Sequence, residues 1–284
     1  MDLGALRIFK TVVEQGGVNR AAAKLHRVPS NVTTRVKQLE ESLGARLFVR
    51  EGRRLVLSPQ GKVLLAYADR LLRLAAEAEG ALRDGKPSGT LRIGALESTA
   101  ATRLPPLLSR YHREYADVRI ELLTGTSGAL LSQVRERAIE AAFVAEPFND
   151  EGLETQAAFA EQLVLVAPRS VGRIRAPADL ASHAIVGFAA GCSYRRRLEG
   201  WLHGAGVLAE RGMELQSYHA IIACVAAGSG VAIVPRSIID ITPGARELAV
   251  SPLPRAVARS RTHLVWRAER RSTALDALRA LLTA

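Results

Sequence analysis

Apolar residues in the first third of the chain recur at helical intervals, most cleanly between residues 28 and 43. Val32, Val36, Leu39 and Leu43 fall at i, i+4, i+7 and i+11, one stripe of an amphipathic helix. Ser30, Thr34 and Lys37 lie on the opposite face, flanked by Asn31, Thr33, Arg35 and Gln38. Upstream, Leu6, Phe9, Val12 and Val13 mark a first helix ending at Gln15-Gly16-Gly17, and Asn19 is placed to cap a second through Ala21-Ala22-Ala23 to Leu25. Pro29 suits the first turn of the third helix, where its missing donor costs nothing. Small alanines on the second helix let the third cross it closely, as a helix-turn-helix requires.

Beyond Gly44, Leu47 to Arg50 and Arg54 to Leu57 read as two short strands turning at Glu51-Gly52-Arg53. Ser58-Pro59 then supplies the cap and first-turn proline of a long helix. Along it Leu64, Ala68, Leu71, Ala75, Ala78 and Leu82 alternate spacings of four and three, the 3.5-residue period of paired helices, so this segment is expected to dimerise the chain. Residues 84–89, Asp-Gly-Lys-Pro-Ser-Gly, read as a hinge.

From residue 90 the pattern changes to alternating strand and helix, which predicts a parallel α/β unit. Strands are expected at Leu91 to Gly94, Val118 to Leu123, Ala141 to Val144, Leu163 to Val166, Ile185 to Phe188, Val231 to Val234 and Leu264 to Trp266. Helices are expected at 104–115, 129–137, 195–202, 220–227 and 273–282. The boundaries are therefore a DNA reader at 1–58, a linker at 59–89 and a ligand-binding unit at 90–284. The last divides into one subdomain of 90–161 plus 266–284 and a second of 162–265, with a cleft outside the carboxyl ends of the strands.

Charge sharpens the N-terminal reading. Of the formal net charge of +11, residues 1–88 hold +7, with 16 Lys and Arg against 9 Asp and Glu. A basic unit that presents short amides and hydroxyls beside cations on one helix face suits a DNA major groove, where amides reach base edges and cations reach guanine or phosphate. Ser30, Asn31, Thr33, Thr34, Arg35 and Lys37 are the candidate contacts on the helix. Arg50, Arg53 and Arg54 form a basic hairpin placed to grip phosphate or minor groove. Two cysteines exclude a secreted disulfide framework, charges interrupt any leader-like apolar core, and no apolar run is long enough to span a bilayer, so a cytoplasmic protein with no membrane partner is expected.

Polar loops close the predicted strands of the C-terminal unit. Glu97, Ser98 and Thr99, then Thr126 and Ser127, then Ser193, Tyr194 and Arg195, and finally Tyr218 and His219 all stand at strand ends or helix starts. Taken singly each is a helix cap; four such loops converging on one cleft make a pocket for a small molecule. Helix N-termini and Arg195 favour a carboxylate, whereas Glu97 and Glu146 favour an amine, and an amino acid satisfies both. No metal or cofactor motif is present, and the six histidines are scattered with no catalytic spacing, which argues against an enzyme. Two other readings stay open: a redox switch through Cys192 and Cys224, and a plain cytoplasmic small-molecule-binding protein.

The pieces Leu6 with Phe9, Ala21-Ala22 with Leu25-His26, Leu39-Glu40, Leu43-Gly44, Leu47 to Arg50, and Leu57-Ser58 with Gly61 resemble the LysR-type transcriptional regulators. That resemblance implies an N-terminal winged helix-turn-helix, a long dimerisation helix and a C-terminal two-subdomain effector domain like a type 2 periplasmic binding protein. It implies double-stranded DNA, a small-molecule effector, RNA polymerase at the promoter and further copies of the chain, as dimer or tetramer, as partners. Two positions depart from the family: Val28, where serine is common, and Thr34, where arginine is. The blocks Pro29 to Arg35, Leu96 to Ala100, Cys192 to Arg196 and Ser217 to His219 resemble the branch that controls putrescine use in enteric bacteria, which implies an amine, amino acid or carboxylate of that metabolism.

Overall fold

The structure, a computed structural model, describes residues 1–284 except Arg53, residues 82–85, Ala209, Arg270 and Ala284, and the side chains of residues 77, 80, 81 and 211. The chain divides into two compact units, Met1–Gly85 and Lys86–Ala284. The final position of the predicted linker stripe, Leu82, and part of the predicted hinge lie outside the described residues.

The first unit runs α1 (Leu3–Gln15), α2 (Val18–Lys24), α3 (Pro29–Leu43), β1 (Phe48–Glu51), β2 (Arg54–Leu57) and α4 (Pro59–Ala81). Asp2 caps α1 by accepting from the Ala5 amide at 2.8 Å, and Gly16 ends it in the left-handed conformation that a side chain would strain. The second helix begins earlier than the sequence suggests. Gly17 stands at its N-cap, and Asn19 lies inside the helix instead of capping it. Val32, Val36 and Leu39 are buried as the periodicity requires, each contributing roughly 1.5–3 kcal/mol by burial. Leu43 departs from the stripe: in the last turn of α3, before the Gly44 cap, it is exposed.

Local hydrogen bonds fix the wing and the long helix. Glu40 Oε1 accepts from the amides of Leu47 and Phe48 at 2.6 and 3.2 Å, tying β1 to α3. Ser58 accepts from the Gly61 amide at 2.9 Å and donates to the Arg46 carbonyl at 2.6 Å, the cap expected from Ser58-Pro59. Gly61 is required there, because a Cβ would stand 2.1 Å from the Leu47 carbonyl oxygen. The α4 stripe splits in use. Leu64, Ala68 and Leu71 pack with Leu6 and Phe9 of α1 within the same unit, while Val63, Tyr67 and Leu74, offset by a residue or more, are exposed.

The second unit runs β3 (Gly89–Ala95), α5 (Glu97–Thr102), α6 (Leu104–Glu114), β4 (Val118–Thr124), α7 (Ser127–Arg135), β5 (Ala141–Ala145), β6 (Leu153–Pro168), β7 (Ala184–Gly187), α8 (Ser193–Gly204), β8 (Glu210–Glu214), α9 (Tyr218–Ala226), β9 (Ala232–Pro235), α10 (Arg236–Ile241), β10 (Leu248–Pro252), α11 (Arg255–Ala258), β11 (Arg259–Arg267) and α12 (Thr273–Thr283). The expected parallel sheet is mixed. Strand β3 pairs in parallel with β4 and β5, but β11 runs antiparallel to both β5 and β6. Strand β6 is longer than the Leu163 to Val166 core signal. Its first half, to Gln162, pairs with β11, and its second half, from Leu163, pairs with β9 and β10. Pairing of β11 begins at Arg259, ahead of the residue 266 boundary expected from the sequence. Two lobes therefore share β6; one apolar core gathers Leu91, Phe143, Trp266 and Leu278 within the first lobe, and the other runs through both lobes, from Leu130 and Val144 to Leu198 and Val234.

Candidate functional site

The polar face of α3 is open to solvent. Ser30, Asn31, Thr33, Thr34, Arg35 and Lys37 are all exposed, while Val32 and Val36 face inward. Two of the polar residues are oriented by neighbours: Arg27 donates to Asn31 Oδ1 at 3.2 Å, and Thr33 donates to the Pro29 carbonyl at 3.0 Å. The Asn31 amide NH2 is left turned to solvent chemistry as a donor. Val28 forms the N-cap without a side-chain hydrogen bond and is 62% exposed, an uncapped helix start with an apolar tip. In the wing Arg50, opposite Leu55, and Arg54, opposite Glu51, are exposed on either side of Gly52, whose φ of 62° makes the tight turn. Arg53 lies outside the described residues.

In the second unit a pocket opens between the lobes, enclosing about 260 Å³ of empty space with its mouth included. Of the residues singled out from the sequence, Glu97, Thr126, Ser127, Ser193, Tyr194 and Tyr218 line it. The others do not. Ser98 and Thr99 are buried behind Glu97 in the first turn of α5, and His219 is exposed outside the lining. Arg195 turns away to a neighbouring surface cavity, where it donates to Glu199 at 2.8 Å, Glu214 at 2.6 Å and the Phe188 carbonyl at 2.9 Å. Glu146, the second candidate for an amine, is held by Arg197 and His263 at 3.4 and 3.6 Å.

Apolar lining was missed from the sequence. Leu96, Phe188 and Cys192 form much of the wall; Leu96 and Cys192 stand beside the more conspicuous Glu97 and Ser193. The end of the Ile185-Val186-Gly187 strand was the signal that placed Phe188. Its ring meets the Tyr218 ring edge-on at 4.8 Å.

The hydroxyls at the pocket have fixed partners at one end and none at the other. Ser127 and Ser193 both donate to the Ala145 carbonyl, at 3.3 and 2.7 Å, which pins the starts of α7 and α8 to the end of β5. By contrast Thr99 Oγ1 and Glu97 Oε2 are sealed from solvent with no hydrogen-bond partner among the described residues, while the buried Tyr194 and Tyr218 hydroxyls gather around Ser98. Glu97 Oε1 accepts from the Tyr218 amide at 3.4 Å, at the N-terminus of α9. Burial pushes the Glu97 carboxyl above the usual range, with the Tyr218 amide and then His219 opposing it. Burial also raises the Cys192 thiol, and Cys192 and Cys224 are both free. A thiol raised by burial is the opposite of a redox sensor's, which needs a stabilised thiolate.

Behind Tyr194 the lobes are joined by an ion pair. Glu161, only 5% exposed on β6, accepts from Arg103 Nε at 2.7 Å and from Ser237 Oγ at 3.1 Å. At the pocket edge Gly128 donates from its amide to the Gly191 carbonyl at 3.2 Å, so the backbones of the two lobes meet directly.

Both units match known families. Residues 3–62 match the bacterial regulatory helix-turn-helix protein, lysR family, and residues 84–284 match the LysR substrate binding domain. The chain belongs to the LysR family. This LysR-type chain is 38% identical over 268 residues to the HTH-type transcriptional regulator YusT of Bacillus subtilis strain 168, covering 94% of the chain and 90% of that protein. It is 39% identical over 255 residues to the regulator YofA of Bacillus velezensis, covering 89% and 88%. Among solved structures, full-length CbnR complexed with its target DNA shares the fold at a TM-score of 0.76 and 23% identity, covering 100% of this chain and 99% of that one. The LysR chain is thus a DNA-binding transcriptional regulator with a substrate-binding effector domain, and not an enzyme. No helix among the described residues is long and apolar enough to cross a membrane.

Proposed function

We propose that the protein binds a two-part operator in the cytoplasm as a dimer or tetramer, presenting α3 to the major groove and the β1–β2 wing to the adjoining backbone. A small metabolite held between the lobes alters that grip. The observation that carries the reading is the division of α3: every candidate contact is exposed, and its apolar positions Val32, Val36 and Leu39 are spent in the core. Thr34, Asn31 and Ser30 then read base edges, while Arg35, Lys37, Arg50, Arg53 and Arg54 meet phosphate. Exposed Val63, Tyr67 and Leu74 on α4 support pairing of two copies. RNA polymerase at the promoter is the partner through which such a regulator acts. For the effector, the blocks resembling the putrescine-use branch support an amine, amino acid or carboxylate of that metabolism.

Gel shifts at two salt concentrations with selected operator fragments test the DNA reading. Lys37→Ala weakens binding to all sequences and reduces the salt slope by about 1, whereas Thr34→Ala changes preference at one position and leaves the slope unchanged. Equal losses on every sequence for Thr34→Ala contradict the assignment of faces.

A further inference from the structure

On the reading that this interlobe pocket receives the effector, we infer that the effector is a compact organic monoammonium, its single positive charge seated on Glu97 and its apolar part against Phe188. The charges on the page set the sign. Glu97 is the sole carboxylate, and no arginine or lysine, among the described residues that line the pocket. Its Oε2 is sealed from solvent and has no donor among the described residues. A buried carboxylate oxygen left without a donor carries its full desolvation cost, and an ammonium removes it by bringing three donors and the opposite charge.

Several groups that would serve an anion are engaged elsewhere. Glu97 Oε1 itself accepts from the first amide of α9, so the protein's own carboxylate occupies that helix terminus. At α7 and α8 the serine hydroxyls are committed to the Ala145 carbonyl, and Arg195 is spent on Glu199 and Glu214. Among the described residues near the pocket, a diammonium has no free second carboxylate. Glu161 is bound by Arg103 and Ser237, and Glu146 by Arg197 and His263. The aromatic pair Phe188 and Tyr218 adds a wall on which a cation is favoured. Burial holds the Glu97 carboxyl above the usual range, as a buried acid with one free oxygen requires. The lobes as they stand leave little enclosed space in the cleft, which limits the ligand's size.

Thermal unfolding of the full chain with n-propylamine, propionate, 1-propanol, β-alanine and 1,4-diaminobutane tests this, because the first three share one size and differ in charge. The expected result is saturable stabilisation by n-propylamine, at least tenfold weaker apparent binding of 1,4-diaminobutane, and no effect of propionate. Glu97→Gln, which keeps an acceptor for the Tyr218 amide, lowers amine affinity at least tenfold. Phe188→Leu, which leaves the charge in place, lowers it several-fold. Stabilisation by propionate, 1-propanol or β-alanine without n-propylamine overturns the monoammonium and leaves the cleft reading standing. Amine binding unchanged in Glu97→Gln places the amine elsewhere and overturns the seat. No stabilisation by any member overturns both the inference and the reading on which it rests.

Discussion

Val28 shows how one side chain bears on both stability and recognition. As the N-cap of α3 it offers no hydrogen bond, and its 62% exposure puts two methyl groups at the end of the helix that faces DNA in the proposed arrangement. Val28→Ser restores a cap to an amide of the first turn and raises unfolding stability by roughly 1 kcal/mol, read by denaturant melts. The same change removes an apolar surface suited to a thymine methyl, so operator selection with the variant shows weaker preference for thymine at one position. A stability gain with unchanged selection separates the two roles. At this scale the sequence was informative for exposed groups, because polarity and helical spacing placed Ser30 to Lys37 on one face. It was poor at telling free hydroxyls from engaged ones: Ser127 and Ser193 look like ligand contacts until their bonds to the Ala145 carbonyl are seen.

Among elements, those with a strong period were legible and those held by backbone pairing were not. Helices α1, α3 and α6 announce themselves through apolar spacing. Strand β8, Glu-Arg-Gly-Met-Glu, carries no such pattern and exists because its backbone pairs with β7, with Gly212 pressed so close that a Cβ would lie 2.7 Å from the Ile185 carbonyl. The first half of β6 is similarly hidden by Glu154, Gln156 and Glu161. Glu161 is a charge in a core strand, tolerable only because α6 and α10 bring Arg103 and Ser237 to it. Arg103→Met leaves that carboxylate unpaired and lowers stability by about 3 kcal/mol, whereas combining it with Glu161→Leu recovers most of the loss. Calorimetric melts of the single and double variants measure the difference. A single variant that melts like the parent contradicts the pairing role.

For the molecule as a whole, the 3.5-residue period of α4 serves packing within its own unit at three positions. Leu64, Ala68 and Leu71 cover Phe9 and Leu6, and the exposed face passes through Val63, Tyr67 and Leu74, with Arg70 lying 5.7 Å from the centre of the Tyr67 ring. Tyr67→Asp paired with Val63→Asp is expected to yield monomers in sedimentation experiments, with unfolding of the N-terminal core unchanged and affinity for the full operator falling toward that for half of it. Loss of the fold with loss of the dimer marks those residues as core instead. The remaining charge logic is long-range: the N-terminal excess of cations attracts any DNA, and specificity is added by the few uncharged side chains on α3.

Strand β6 imposes a mechanical condition on all of this. At Gln162 the residue opposite on the neighbouring strand is Arg259, and one residue on, at Leu163, it is Pro235. A single peptide link thus carries the chain from one lobe's ladder to the other's, in a strand that cannot slide because both halves are fixed in register. Lobe movement then includes torsion about that link, in the manner of a shaft clamped at both ends, and a ligand that draws the lobes together is expected to twist residues 161–164.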